Sequence, residues 1–291
     1  MRCALVGFLL LLSVTTLTAQ DAKYAITLKE DAKGDKIRVT TNDESKVKVA
    51  FSLMGQMFNQ DVVKSLTQAY TEEILEAPPK KGEKPLKMRR DYGKVEQVKE
   101  GKRKVLPYSS MTVLIEKKGD KFRFTVDGEE YTGADAEPLE EEFNKKDDIP
   151  LSNEDFLPGK PIAIGEEWTV KIDKIVESFS KGGPFKLDPK TTTVTGKMTK
   201  VMEKNGHKFG IIELDMNLGV KELDLDGQDV KAKAGSRVKG KTILEVAIDG
   251  GSHTGSEKTT IDFDIVAEIP NGTMKFTGTA KLTRSVEDLG K

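Results

Sequence analysis

Cysteine is almost missing from this sequence: the only one, Cys3, lies ahead of the first apolar run, and the remaining residues have none. That excludes disulfides, cysteine nucleophiles, thiolate metal sites and iron–sulfur clusters together. Cys3 is also misplaced for a lipid-modified start, which needs the cysteine just after the apolar run. Histidine occurs twice, at His207 and His253, with no second histidine at metal-ligand spacing from either. Tryptophan occurs once, at Trp168, and aromatic residues make up 6% of the chain, too few for the stacking platforms of a carbohydrate module. Neither sign of charge prevails, with 47 basic against 48 acidic residues, so no global field draws the chain to nucleic acid. After Val14 no apolar run approaches the ~20 residues that span a bilayer as a helix.

What is present begins with a leader. In MRCALVGFLLLLSVTTLTAQD, Arg2 precedes an apolar run from Ala4 to Val14, and small and hydroxylated residues follow as far as Ala19. This order is that of a secretory signal peptide, with cleavage expected after Ala19 and an exported form starting at Gln20. An exported chain without cysteine suits a bacterial periplasm or surface, because small extracellular domains of eukaryotes accumulate disulfides. Asn271-Gly272-Thr273 fits the glycosylation sequon, but Asn-Gly is also a strong hairpin signal and is read here as a turn.

Periodicity is clearest in the second half. Ile212, Leu214, Met216, Leu218 and Val220 alternate with Glu213, Asp215, Asn217 and Gly219. The same alternation recurs from Val238 to Ile248, in Ile261, Phe263, Ile265 and Ile269, and in Met274, Phe276, Ala280 and Leu282. It predicts antiparallel strands with one dry and one wet face. Asn205-Gly206, Asp226-Gly227, Gly250-Gly251 and Asn271-Gly272 supply the turns of a meander. In the first half, KGDKIRVT from Lys33 and KGDKFRFT from Lys118 each read as a turn followed by a strand. Between them Val62, Leu66, Tyr70 and Ile74 fall four apart, which favours a helix by count, although Thr67, Tyr70 and Thr71 also suit a strand. AEPLEEEFN, from Ala136 to Asn144, has the early proline, the acids and the Leu139/Phe143 spacing of a short helix. In FLPGKPIAIGEEWTV, from Phe156, the prolines forbid regular structure, and Trp168 is expected to open a strand continued by Val170 and Ile172, plugging the end of the sheet.

LPGKPIAIGEEW, together with GDKIRVTT, the turn Met54-Gly55-Gln56 and KGDKFRFTVDG, resembles an uncharacterised family of secreted bacterial β-rich domains of unknown function. The resemblance covers most of the exported chain. It implies a strongly curved antiparallel sheet akin to periplasmic lipoprotein carriers, with one or two short helices on the concave face. It also implies that residues 60–76 are a strand, and it lends no catalytic residues. The expected architecture is therefore mainly β: a half-barrel meander in a single domain over 20–291 after the 1–19 leader. Two sheet halves, about 20–133 and 167–291, are joined by a helical and loop connection over 134–166.

Chemistry is hard to find. GxSxG, Walker and HExxH patterns do not occur, and Ser252-His253 reads as a loop dipeptide. ELDLDGQDVKAK, from Glu222, imitates a calcium loop, but Lys233 stands where the bidentate Glu is needed. Glu166-Glu167 and Asp147-Asp148 are neighbours whose side chains point apart on a strand, so they make no glycosidase pair. No enzyme, cofactor or metal is expected. Two binding surfaces are. The first is an apolar face of Trp168, Ile212, Leu214, Met216, Leu218, Leu244, Val246, Ile248, Phe263, Ile265 and Phe276. The second lies in the basic stretch 80–104, whose Lys87, Arg89, Arg90, Lys102, Arg103 and Lys104 would meet an anionic surface, the acidic stretch 135–155 or only solvent. With one helix in sight for so many apolar faces, the favoured expectation is an exported binding protein with a cavity for a lipid-like molecule. The alternative is a structural or protein-interaction component of the envelope whose core is filled.

Overall fold

The computed structural model describes residues 22–53, 56–144, 151–182, 185–225 and 228–291. The leader, Gln20, Met54-Gly55, Asp147-Asp148 and Asp226-Gly227 lie outside the described residues. The strands of the first half are β1 (Lys23–Tyr24), β2 (Lys36–Leu53), β3 (Gln56–Glu76), β4 (Lys87–Tyr92), β5 (Glu96–Lys99), β6 (Lys102–Val105), β7 (Thr112–Lys118), β8 (Lys121–Val126) and β9 (Glu129–Glu130). Helix α1 (Glu137–Phe143), β10 (Ile162–Ala163), β11 (Glu167–Thr169) and helix α2 (Asp173–Gly182) follow. The second half continues with β12 (Phe185–Leu187), β13 (Thr193–Lys204), β14 (His207–Leu225), β15 (Gln228–Lys231), β16 (Arg237–Ala247), β17 (Gly255–Ile269) and β18 (Gly272–Gly290).

One large antiparallel sheet runs β11-β13-β14-β16-β17-β18-β2-β3-β4-β7-β8-β9, and its end strands do not pair, so it is not closed into a barrel. Each half is a meander. The halves meet where β18 lies against β2, with Lys36 opposite Gly290 and Leu53 opposite Gly272. Gly278 permits this approach: a Cβ there would come within 2.1 Å of the Lys46 carbonyl oxygen.

Residues 60–76 belong to β3, against the helical count. A spacing of four is common to both periods, since every second residue of a strand shares a face. Val62, Leu66, Tyr70 and Ile74 therefore lie on one side of β3, and burial deepens toward Tyr70 and Ile74. The opposite error occurs after Trp168. Its strand ends at Thr169, and the chain turns into α2, whose Ile175, Val176 and Phe179 share one helical face.

Two hydrophobic cores result. The second-half core gathers Trp168, Val194, Met198, Ile212, Leu214 and Leu244 with their neighbours. It is covered by α2, by Phe156 and Leu157 of the connection, and by Tyr24 and Ile26 near the start of the described chain. The far end of β14 adds a flap by pairing with β12 and β15. Phe185 of that flap packs 6.3 Å, ring to ring, from Phe263 on the sheet. The first-half core gathers Val39, Tyr70, Met88, Tyr92, Tyr108, Ile115 and Phe124 under α1, which contributes Leu139 and Phe143.

Candidate functional site

The structure brings the expected apolar face together, as the interior of the second-half core. Ile212 is fully buried, and Leu214, Leu218, Leu244, Ile248 and Ile265 are within a few per cent of it. Met216, Val246, Phe263 and Phe276 are half-buried against the same cluster. Cross-strand register explains the grouping: Ile212 faces Leu244, Leu218 faces Val238, and Ile265 faces Phe276. Trp168 lies flat over Gly196, where a Cβ would come within 2.2 Å of its ring, and its indole N–H donates to the Phe156 carbonyl at 2.9 Å. The tryptophan thus pins the connection onto the sheet.

The expected basic patch is divided. Arg90 is buried, with its guanidinium donating to Glu72 at 2.6 Å, to Glu142 of α1 at 2.7 Å and to the Tyr92 hydroxyl at 3.1 Å. It also stands 4.2 Å from the Tyr70 ring centre and 4.8 Å from that of Phe143. Burial pushes the Tyr92 and Tyr108 phenols well above their ordinary range, so both stay protonated. Lys87 pairs with Glu116 and Arg89 with Glu73. Arg90 ties the sheet to α1, while Lys87 and Arg89, partly exposed, are paired along the sheet. Lys102, Arg103 and Lys104 lie apart from them on the exposed hairpin β5–β6. Arg103 stands 3.7 Å from Glu96.

Where the inner face stays open, between the two cores, its lining is mixed. A cleft of about 560 Å³ is lined there by Thr41, Gln68, Gln97 and Arg284 together with Leu66, Leu106 and Leu282. Beside it Thr242 and Thr259 share a buried hydroxyl–hydroxyl hydrogen bond of 2.8 Å.

Sequence reasoning passed over a buried clamp. Asp35, from the first KGDK turn, is almost wholly buried and meets His253 Nε2 at 3.1 Å and the Ala32 N–H at 2.9 Å. Asp288 of β18 accepts from the His253 backbone N–H and from Lys29. Burial alone would raise the Asp35 carboxyl. The His253 hydrogen bond, the Ala32 amide and Lys29 outweigh it and hold that carboxyl below the usual range. Asp288 is held well below its ordinary value in the same way, burial being outweighed by the His253 and Gly290 amides and Lys29. The repeated Gly-Asp phrase could not have flagged Asp35, because the second copy leaves Asp120 exposed.

Other sequence candidates resolve into structure. Ser252 Oγ accepts from the Thr254 N–H while His253 turns to Asp35, so the two do not form a nucleophile and base. His207 sits 3.4 Å from Asp249 beside a turn. Residues 222–225 and 228–231 pair as strands, and Lys186 bridges Glu222 and Asp229. Glu166 caps the Ala163 N–H, whereas Glu167 reaches Lys197. Among the described residues no group of three or more His, Cys, Asp or Glu is placed to hold a metal ion. No described helix is long and apolar enough to cross a membrane.

Comparison with known proteins adds little. No protein-family model matches the chain, and no curated protein matches it. Among solved structures, an outer membrane channel from Pseudomonas putida aligns over 90% of this chain and 97% of its own at 8% identity, with a TM-score of 0.21. A likeness at that level carries no argument about function or membrane insertion.

Proposed function

We propose that this protein is an exported, non-enzymatic interaction component of a bacterial envelope, acting through its surface around a filled core. One observation carries the reading: the aliphatic face that would line a lipid cavity lies beneath α2, the flap and the Trp168 connection, with Ile212 and Met198 fully buried. A carrier needs volume bounded by apolar atoms. The open volume on the inner face is bounded by polar and charged groups, Gln68, Gln97, Glu142, Arg90 and Arg284 among them, as much as by Leu66, Leu106 and Leu282.

The test is titration of residues 20–291 with an apolar fluorescent probe. No saturable uptake is expected, and Trp168 emission should not respond. Saturable uptake that a lipid displaces would return the carrier reading.

A further inference from the structure

The longest hairpin of the molecule ends in a segment unlike the rest of it. From Val49 to Gln60, VAFSLMGQMFNQ, there is no charged residue, in a chain of which 33% is charged. Met57 is 69% exposed and Phe58 53%. Successive residues of a strand leave it on opposite faces. A groove on a partner protein would cover one of these two side chains and leave the other in water. A medium that surrounds the tip covers both.

Behind the tip stand cations. Lys46, Lys48, Lys64, Lys99 and Lys102 are exposed, and none has an ion-pair partner among the described residues. The only acid between Lys46 and Lys64 is Asp61. Lys64 lies directly across from Lys99 of β5, which lies directly across from Lys102 of β6. Like charges opposite one another destabilise a sheet, and anionic groups arriving from outside would offset that repulsion. The apex of β5–β6, Glu100-Gly101, points the same way as the tip, because β5 runs antiparallel to a β3 that runs away from it. Lys48 pairs in register with Asp61, three residues from Phe58, or about 10 Å along the strand.

The depth is limited by the backbone. β5 reaches β3 only as far as Lys64, with a last contact from the Glu100 N–H to the Val63 carbonyl. From Gln56 to Val62 the outer edge of β3 has no neighbouring strand among the described residues. Unpaired amides are too costly for the hydrocarbon centre but are solvated at headgroup depth. An apolar element in that zone sinks about 5–10 Å, which would seat Phe58 and Met57 among the acyl boundary and Lys48 among the headgroups.

We infer that the β2–β3 tip docks this protein on an anionic phospholipid bilayer, Met57 and Phe58 entering the interface and the Lys46, Lys48, Lys64, Lys99 and Lys102 collar reading the headgroup charge. The inference rests on the proposed role as an envelope interaction component and names its partner. Flotation of residues 20–291 with phosphatidylglycerol-containing vesicles should recover the protein with the lipid. Pure phosphatidylcholine vesicles should recover little. The double variant M57E/F58E should lose binding at least tenfold with an unchanged circular dichroism spectrum, since both side chains are exposed. Lys48→Gln should weaken binding by about fivefold at low salt, and the Lys→Gln changes farther from the tip by less. In F58W the emission should shift to the blue only when anionic vesicles are present.

Absence of binding to anionic vesicles, or binding that M57E/F58E leaves intact, overturns the inference. So does a dimer in solution that M57E/F58E dissociates while vesicles are ignored, because the occupant of the tip is then a second copy. Vesicle failure without probe uptake removes the membrane alone. Probe uptake displaced by lipid removes the filled-core reading, whatever the vesicles do.

Discussion

Around Trp168 the sheet buries aliphatic side chains, and the one polar atom of the tryptophan finds a backbone carbonyl. Around Arg90 it buries three tyrosines, an arginine and a glutamate, with a second glutamate reaching in from α1. The first arrangement is held by apolar area and close packing, so its losses scale with the atoms removed. The second is held by a charge whose partners must all be present, because removing one leaves the others buried and unpaired. Two ways of joining a short helix to a sheet therefore coexist in one molecule: α2 by an apolar stripe, and α1 by Leu139, Phe143 and a salt bridge.

The molecule carries a reporter for each region. Trp168 emission follows the second-half core, and the near-ultraviolet circular dichroism of Tyr70, Tyr92 and Tyr108 follows the first. Arg90→Ala should have the largest effect, lowering stability by about 3–5 kcal/mol in urea unfolding, with the tyrosine signal lost before the tryptophan signal. Coincident transitions would show that the β18–β2 seam makes the two cores one cooperative unit. Ile212→Ala should cost about 2–5 kcal/mol and reverse the order, moving the tryptophan transition first. Gly196→Ala should cost about 1–3 kcal/mol, because the Trp168 ring must shift, and its emission should move to the red.

Acid should separate the regions further. The Asp35 and Asp288 carboxyls have folded values below their unfolded value of about 4, so their stabilisation is complete above that pH and is lost as pH falls toward the folded values. Asp35 also receives the Ile74 amide on its carbonyl, at the rim of the first-half core. The tyrosine midpoint should therefore fall first below about pH 4. Asp288→Asn should cost about 1.5 kcal/mol at neutral pH and flatten that acid limb. The smallest effect is expected at the β16–β17 hydroxyl pair: replacing Thr242 and Thr259 together by valine should change stability by less than about 1 kcal/mol, whereas Thr259→Val alone leaves the Thr242 hydroxyl unpaired and should cost more, since only Thr259 also donates to Glu257.

These contrasts also explain what could be read from the sequence. The aliphatic strands of the second half declared themselves because alternation records which face is dry, and α1 did so through its proline and its Leu139/Phe143 spacing. Helix α2 was hidden because Trp168 and Val170 alternate just before Asp173, so the strand pattern ran on past the true turn. Strand β3 was ambiguous because a period of four satisfies helix and strand alike. Arg90 was read as surface because composition treats every arginine in a basic stretch alike, and only the return of Glu142 from α1 shows that its charge is spent inside. The hairpin tip was overlooked for the same reason: VAFSLMGQMFNQ has no alternation to mark it, and its exposure depends on β5 stopping at Lys64.

The β18–β2 seam has a consequence for how the molecule is made. Strand β2 is synthesised early and its partner β18 more than two hundred residues later, so the central ladder has one of the largest sequence separations in the sheet. Closing such a contact is slow, since chain entropy is lost before any pairing compensates for it. Until residues 272–290 arrive, β2 and β17 each present a bare edge, and folding of the separate halves cannot complete the sheet. This order also means that a circular permutant opened at Asn205-Gly206 would bring β18 and β2 close in sequence and pass the long separation to the β13–β14 ladder, so the last pairing to form should move there.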